Sequence, residues 1–112
     1  MVVVGVRAVE ARPLETAMNL YEWCTRPAPE NNVCLAYIKG LVEGFFWGGY
    51  YSTGGKAASN ADVRHLICPP KNATPDQYRL IYIKWAEANP ARLGEPTVVT
   101  ALAAFTAAFP CH

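Results

Sequence analysis

Four cysteines, Cys24, Cys34, Cys68 and Cys111, set the tightest limit on what this chain can fold into. Each borders a helical pattern beside a turn, where a cross-link joins two elements at their ends. No C-x2-C pair is present, and His65 and His112 stand at no finger-like spacing, so no metal site is expected. Thiol catalysis would normally show a C-x-x-C pair, which is also missing. If all four thiols are oxidised none is left over, and three connectivities satisfy that condition. Paired disulfides in turn imply an oxidising compartment.

The bulk properties narrow the class. A chain of 112 residues fits one domain, large enough to bury a real core. Just over half of it, 52%, is apolar, which excludes a disordered chain. A net charge of +1 with no basic stripe argues against nucleic acid as a partner. No apolar run approaches the roughly 18 residues of a bilayer span, so no membrane insertion is expected. The first stretch, residues 1–13, holds the short run Val2 to Val6, broken by Arg7. That is shorter than the roughly 7–15-residue apolar centre of a secretory signal. It reads as a poorly structured N-terminal segment ahead of a helical domain over 14–112. Either the protein stays inside the cell or a signal is missing from this version of the sequence.

Hydrophobic spacing predicts the elements. Leu14, Ala17, Met18, Tyr21 and Cys24 give a first helix over roughly 14–25. "TRPAPENN" breaks it with two prolines. Cys34, Tyr37, Ile38, Leu41, Val42 and Phe45 mark a longer second helix, ended by "GGYYSTGG". "KAASNADVRHLI" has room for one short helix before "CPP" stops it. Thr74, Pro75 and Gln77 then form a capping-box start, with Asp76 where the helix dipole favours a negative charge. Tyr78, Ile81, Tyr82 and Trp85 form the inward face of that third helix, which closes at Asn89–Pro90. Val98, Leu102, Phe105 and Phe109 give a last helix from about Pro96 to Pro110. No segment alternates with period two. The prediction is an all-α, compact domain of four to five helices, stapled by two disulfides. Loop geometry favours Cys24–Cys34, closing a helical hairpin, and Cys68–Cys111, tying down the C-terminus. Chain entropy makes these worth roughly 3 and 4 kcal/mol.

The second helix carries an unusual row. Ala36, Gly40, Gly44 and Gly48 recur every four residues and form a ridge with no side chain beyond a methyl. Glycine inside a helix costs up to about 1 kcal/mol relative to alanine, so a compensating close approach of another helix is expected. Packing within the chain is the first reading, and a helix crossing in a homodimer is the second. Lys39 and Glu43 interrupt the stretch, which fits water better than lipid. Beyond the ridge, Phe45 should point into the core. Phe46 and Trp47 flank the polar arc, and Tyr50, Tyr51 and Lys56 follow in a glycine-rich loop. Aromatics so placed are typical protein-interface anchors. The competing reading folds them back as a lid.

Nothing here points to an enzyme. His65 has no orienting carboxylate near it in sequence, and the acidic residues do not pair on one helix face. Asn72-Ala73-Thr74 matches a glycosylation acceptor, yet Thr74 is better explained as a helix cap. The glycines follow a helix instead of opening one, so no phosphate loop is formed and no cofactor is expected.

The order of motifs resembles the Rap/Tai family of type VI secretion immunity proteins. "CLAYIKGLVEG", "CPPKNATPDQ", "IKWAEANPARLGEP" and "ALAAFTAAFPC" carry the likeness, from about Met18 to Cys111. Cys34, Tyr37, Gly40, Gly44, Cys68, Gln77 and Cys111 match the family's scaffold motif. The resemblance implies a small helical, disulfide-bonded periplasmic protein, often a homodimer. Such proteins bind a cognate effector, typically a peptidoglycan amidase, and occlude its cleft. The alternatives are a periplasmic chaperone, disfavoured by the scarcity of histidines and clustered carboxylates, and a non-enzymatic envelope assembly subunit using the glycine ridge.

Overall fold

The computed structural model describes residues 14–52, 54 and 67–111. Four α-helices are present among them: α1 (Ala17–Cys24), α2 (Asn32–Ser52), α3 (Pro75–Ala88) and α4 (Thr97–Ala108), with a 3-10 turn at Pro90–Arg92. The all-α expectation and both disulfides hold. Residues 1–13, and the short helix expected within 56–67 except for Ile67, lie outside the described residues.

Local chemistry sets the helix starts. Thr74 accepts from the Gln77 backbone N–H at 3.2 Å, while the Gln77 side chain accepts from the Thr74 N–H at 2.8 Å. This is the reciprocal box the sequence predicts, and Asp76 lies in the first turn. The first helix begins later than expected, at Ala17, because Thr16 and Asn19 build a second box of the same kind. Asn19 takes the place usually held by Glu or Gln, which hid the signal. The first N–H groups of α1 find tertiary acceptors: Ala17 donates to Glu95 C=O and Met18 to Leu93 C=O, both at 2.9 Å. Thr97 N–H returns the contact to Glu15 C=O at 3.0 Å, and its hydroxyl donates to Leu14 C=O. The helix ends that cannot bond internally are thereby satisfied by each other's loops.

The core is centred where α3 packs against α1, α2 and α4. Leu20, Ile38, Tyr82 and Phe105 are fully buried in it. Tyr82 keeps its hydroxyl satisfied by Thr100 at 3.1 Å and by Ala17 C=O at 3.3 Å, and burial pushes its pKa up. Tyr78 meets Phe105 and Phe109 edge-on, with centroids 5.0 and 5.4 Å apart.

Two predicted faces are rotated. On α1 the buried residues are Ala17, Leu20 and Cys24, and Met18 is exposed. On α4 they are Thr97, Thr100, Ala101, Ala104 and Phe105, whereas Val98 and Val99 face out. Of the large residues expected there, Phe105 is buried and Leu102 and Phe109 pack against the core, but counting only large apolar residues leaves out the small ones that fill most of the buried stripe. Small side chains let the helices approach closely, and the Thr100 hydroxyl is bonded to Thr97 C=O and Tyr82, so its burial leaves nothing unpaired.

The disulfides differ in setting. Cys24–Cys34 joins the end of α1 to the start of α2 across 10 residues, fully buried. Cys68–Cys111 spans 43 residues, with Cys68 exposed. It is reinforced by the Cys68 N–H donating to Phe109 C=O at 2.8 Å. No free cysteine is found among the described residues.

Candidate partner-binding surface

The second helix is the element that decides the surface. At 21 residues it runs through the glycine-rich stretch expected to end it, and Tyr50 and Tyr51 are helical residues, not loop residues. Three local features support the extension. Trp47, Tyr50 and Tyr51 contact one another, with ring centroids 5.6, 6.2 and 5.3 Å apart. The Ser52 hydroxyl donates to Gly49 C=O at 2.9 Å. Gly54, at φ 71°, then takes the left-handed conformation that stops a helix, and its N–H donates to Tyr51 C=O.

The predicted contact residues separate. Phe46 is half-buried and packs against the core, edge-on to Phe45 at 5.8 Å, so it belongs largely to the scaffold. Trp47 and Tyr51 are 58% and 72% exposed, the most exposed of the large hydrophobic residues described. Tyr50 is half-buried between them. Lys56 lies outside the described residues.

The small-residue ridge also faces out. Ala36, Gly40, Gly44 and Gly48 are all exposed. A Cβ added at Gly40, Gly44 or Gly48 would meet nothing within 4 Å. The expected packing within the chain is therefore not found among the described residues, because α2 turns its other side inward, where Cys34, Ile38 and Gly49 are buried. Hydrophobic spacing locates an apolar side but does not show that a side lacking bulk is left uncovered.

Charged side chains are mostly committed to short-range pairs. Arg79 binds Asp76 at 2.7 Å and also donates to Cys24 C=O at 3.0 Å, capping the end of α1. Arg92 grips Glu95 through two bonds, which hold the Glu95 carboxyl below its ordinary pKa. The Tyr21 hydroxyl donates to Glu87 at 2.7 Å, and that bond raises its pKa. A shallow groove between α2 and the start of α3, lined by Ile38, Val42, Pro75 and Tyr78, has the Lys39–Glu43 pair on its rim. Among the described residues, no three His, Cys, Asp or Glu side chains are grouped as a metal would require. No helix there is long and apolar enough to cross a membrane. Two disulfides fit an extracytoplasmic, oxidising setting. Among the described residues, α2 thus presents an uncovered row of small residues that ends in two exposed aromatics.

Comparison with curated proteins and with solved structures returned no match. The family model of the Rap1a immunity proteins matches residues 16–111, nearly the whole of the described domain and all four cysteines. With that coverage, and with the helices and disulfides the resemblance implies, the chain belongs to the Rap1a immunity protein family.

Proposed function

We propose that this chain protects its producer by binding a cognate secreted effector, a peptidoglycan amidase delivered by type VI secretion, and blocking its active-site cleft in the periplasm. The family supports an immunity role, and the two disulfides support the compartment. The observation that carries the contact surface is the exposure of Trp47 and Tyr51 at the end of α2. Large aromatics bury much area at little entropic cost, which suits them to fill a cleft. Inhibition of this kind needs shape and desolvation, and it uses no catalytic group of its own. A second copy of the chain is the other partner in this reading.

The test is a calorimetric titration against the purified product of the adjacent reading frame, paired with a peptidoglycan-cleavage assay. Tight one-to-one binding with loss of cleavage is the expected result. Trp47→Ala or Tyr51→Ala should weaken it by about 2 kcal/mol or more. No heat and no inhibition would reject that neighbour as the target. Full affinity in both variants would move the contact surface elsewhere.

A further inference from the structure

The two disulfides differ in whether a thiol can reach them in the folded chain. Cys24 and Cys34 are both fully buried, and the Arg79 guanidinium closes over that end of α1 by donating to Cys24 C=O at 3.0 Å. A reagent gains access to this bond only when the core opens. Cys68 is exposed and Cys111 half-buried, and both lie in backbone outside any helix. Attack on their bond needs no unfolding.

The chain around the accessible bond is also lightly held. Among the described residues, Pro110 and Cys111 make no hydrogen bond, so past Phe109 the disulfide is the one bond that fixes the chain. Phe109 itself ends α4, edge-on to Tyr78 at 5.4 Å, and its C=O accepts from Cys68 N–H at 2.8 Å. It forms one wall of a shallow apolar groove with Pro70, Leu80 and Ile81. The bond thus straps an aromatic ring onto Tyr78, at the edge of the core. The fully buried residues Leu20, Ile38, Tyr82 and Phe105 are not part of that strap.

We propose that Cys68–Cys111 is a redox latch, opened by a dithiol while Cys24–Cys34 stays closed. A thiolate of the dithiol attacks Cys68 Sγ, the bond to Cys111 breaks, and Cys111 leaves as a thiolate. The second thiol of the reagent then attacks its own sulfur in the mixed disulfide, and Cys68 leaves in turn. Two electrons and two protons pass from the dithiol to the protein, which gains two thiols while the reagent becomes a disulfide. The opened strap frees residues 109–111, so Phe109 moves off Tyr78 and the groove widens. Buried Ile67 keeps Cys68 anchored, so reclosure by a disulfide reagent needs only the return of the tail. The four helices, both capping boxes and Cys24–Cys34 stay in place. This inference concerns the scaffold and is independent of the effector's identity.

The experiment is stepwise reduction of the oxidised full chain with dithiothreitol, quenched by alkylation and read by peptide mass spectrometry. Cys68 and Cys111 should be alkylated at least about tenfold faster than Cys24 and Cys34. At the half-reduced stage helical circular dichroism should persist, while hydrogen exchange at the Cys68 and Phe109 amides should rise. The double variant Cys68→Ser/Cys111→Ser should reproduce that open state with Cys24–Cys34 intact. With glutathione, a monothiol, early quenching should find the adduct on Cys68. Reduction of both bonds together, or of Cys24–Cys34 first, would overturn the latch. Loss of the helical signal in either the half-reduced chain or the double variant would also overturn it, because the bond would then hold the whole fold. An early adduct on Cys111 would overturn entry at Cys68.

Discussion

Two faces of this molecule are built largely from small residues and meet opposite fates. The inward face of α4 is Thr97, Thr100, Ala101 and Ala104, and all four are buried. The outward face of α2 is Ala36, Gly40, Gly44 and Gly48, and all four are exposed. On α4 the small residues bring the backbone close to its neighbours, and the hydroxyls that come with them find partners, Thr100 on Tyr82 and Thr97 on Leu14. The α4 face also carries one large residue, Phe105, which anchors it against Tyr78. The α2 face has no such anchor in its centre, and its aromatics stand at the end. Small residues permit close packing without driving it. What drives it is apolar area, about 25 cal/mol per Å² removed from water, and Phe105 supplies that on α4.

If this contrast is correct, the largest effect should come from the anchor. Phe105→Ala should destabilise the chain by about 3–5 kcal/mol in urea titrations. Truncation of Trp47 should stay within about 0.5 kcal/mol. Comparable losses at the two sites would mean that the end of α2 is part of the core. Adding bulk gives the next test. Ala101→Leu should cost about 1–3 kcal/mol through overpacking, whereas Gly44→Leu should leave the monomer's stability intact or improve it. Destabilisation by Gly44→Leu at concentrations where the chain is monomeric would reveal a neighbour on the ridge. The smallest effect is a gain. Gly40→Ala should raise monomer stability by up to about 1 kcal/mol, seen as a higher urea midpoint at unchanged slope. No gain would show that the glycine backbone is needed within the chain itself.

The parts of the fold that were legible in the sequence share a physical cause: they are decided within a few residues. The box at Thr74 and Gln77, the stop at Asn89 and the burial of Tyr78 and Tyr82 follow from local bonds and one helical period. The equivalent start at Thr16 was missed because Asn19 makes the same bond through a less familiar side chain. Glycine propensity alone ends α2 too early, because the ring contacts and the Ser52 bond oppose it. The face of α4 is legible in part: Phe105 is buried and Leu102 and Phe109 reach the core as their spacing predicts, while Val98 faces out and the burial of Thr97, Thr100, Ala101 and Ala104 carries no signal of bulk.

The candidate site divides along the same line. That aromatics and glycines share one helix is plain from the sequence, as are the helical class and the two favoured cysteine pairs. These depend on spacing along the chain, which a sequence states directly. Which side of α2 meets the core is set by Cys34, Ile38 and Gly49 engaging the rest of the molecule. That choice exposes the ridge, turns Trp47 and Tyr51 outward and draws Phe46 partly in. It depends on contacts between residues far apart in the chain, which compete for a single core. The sequence alone determined the elements and their staples, and only the tertiary structure decided which face of α2 was left uncovered.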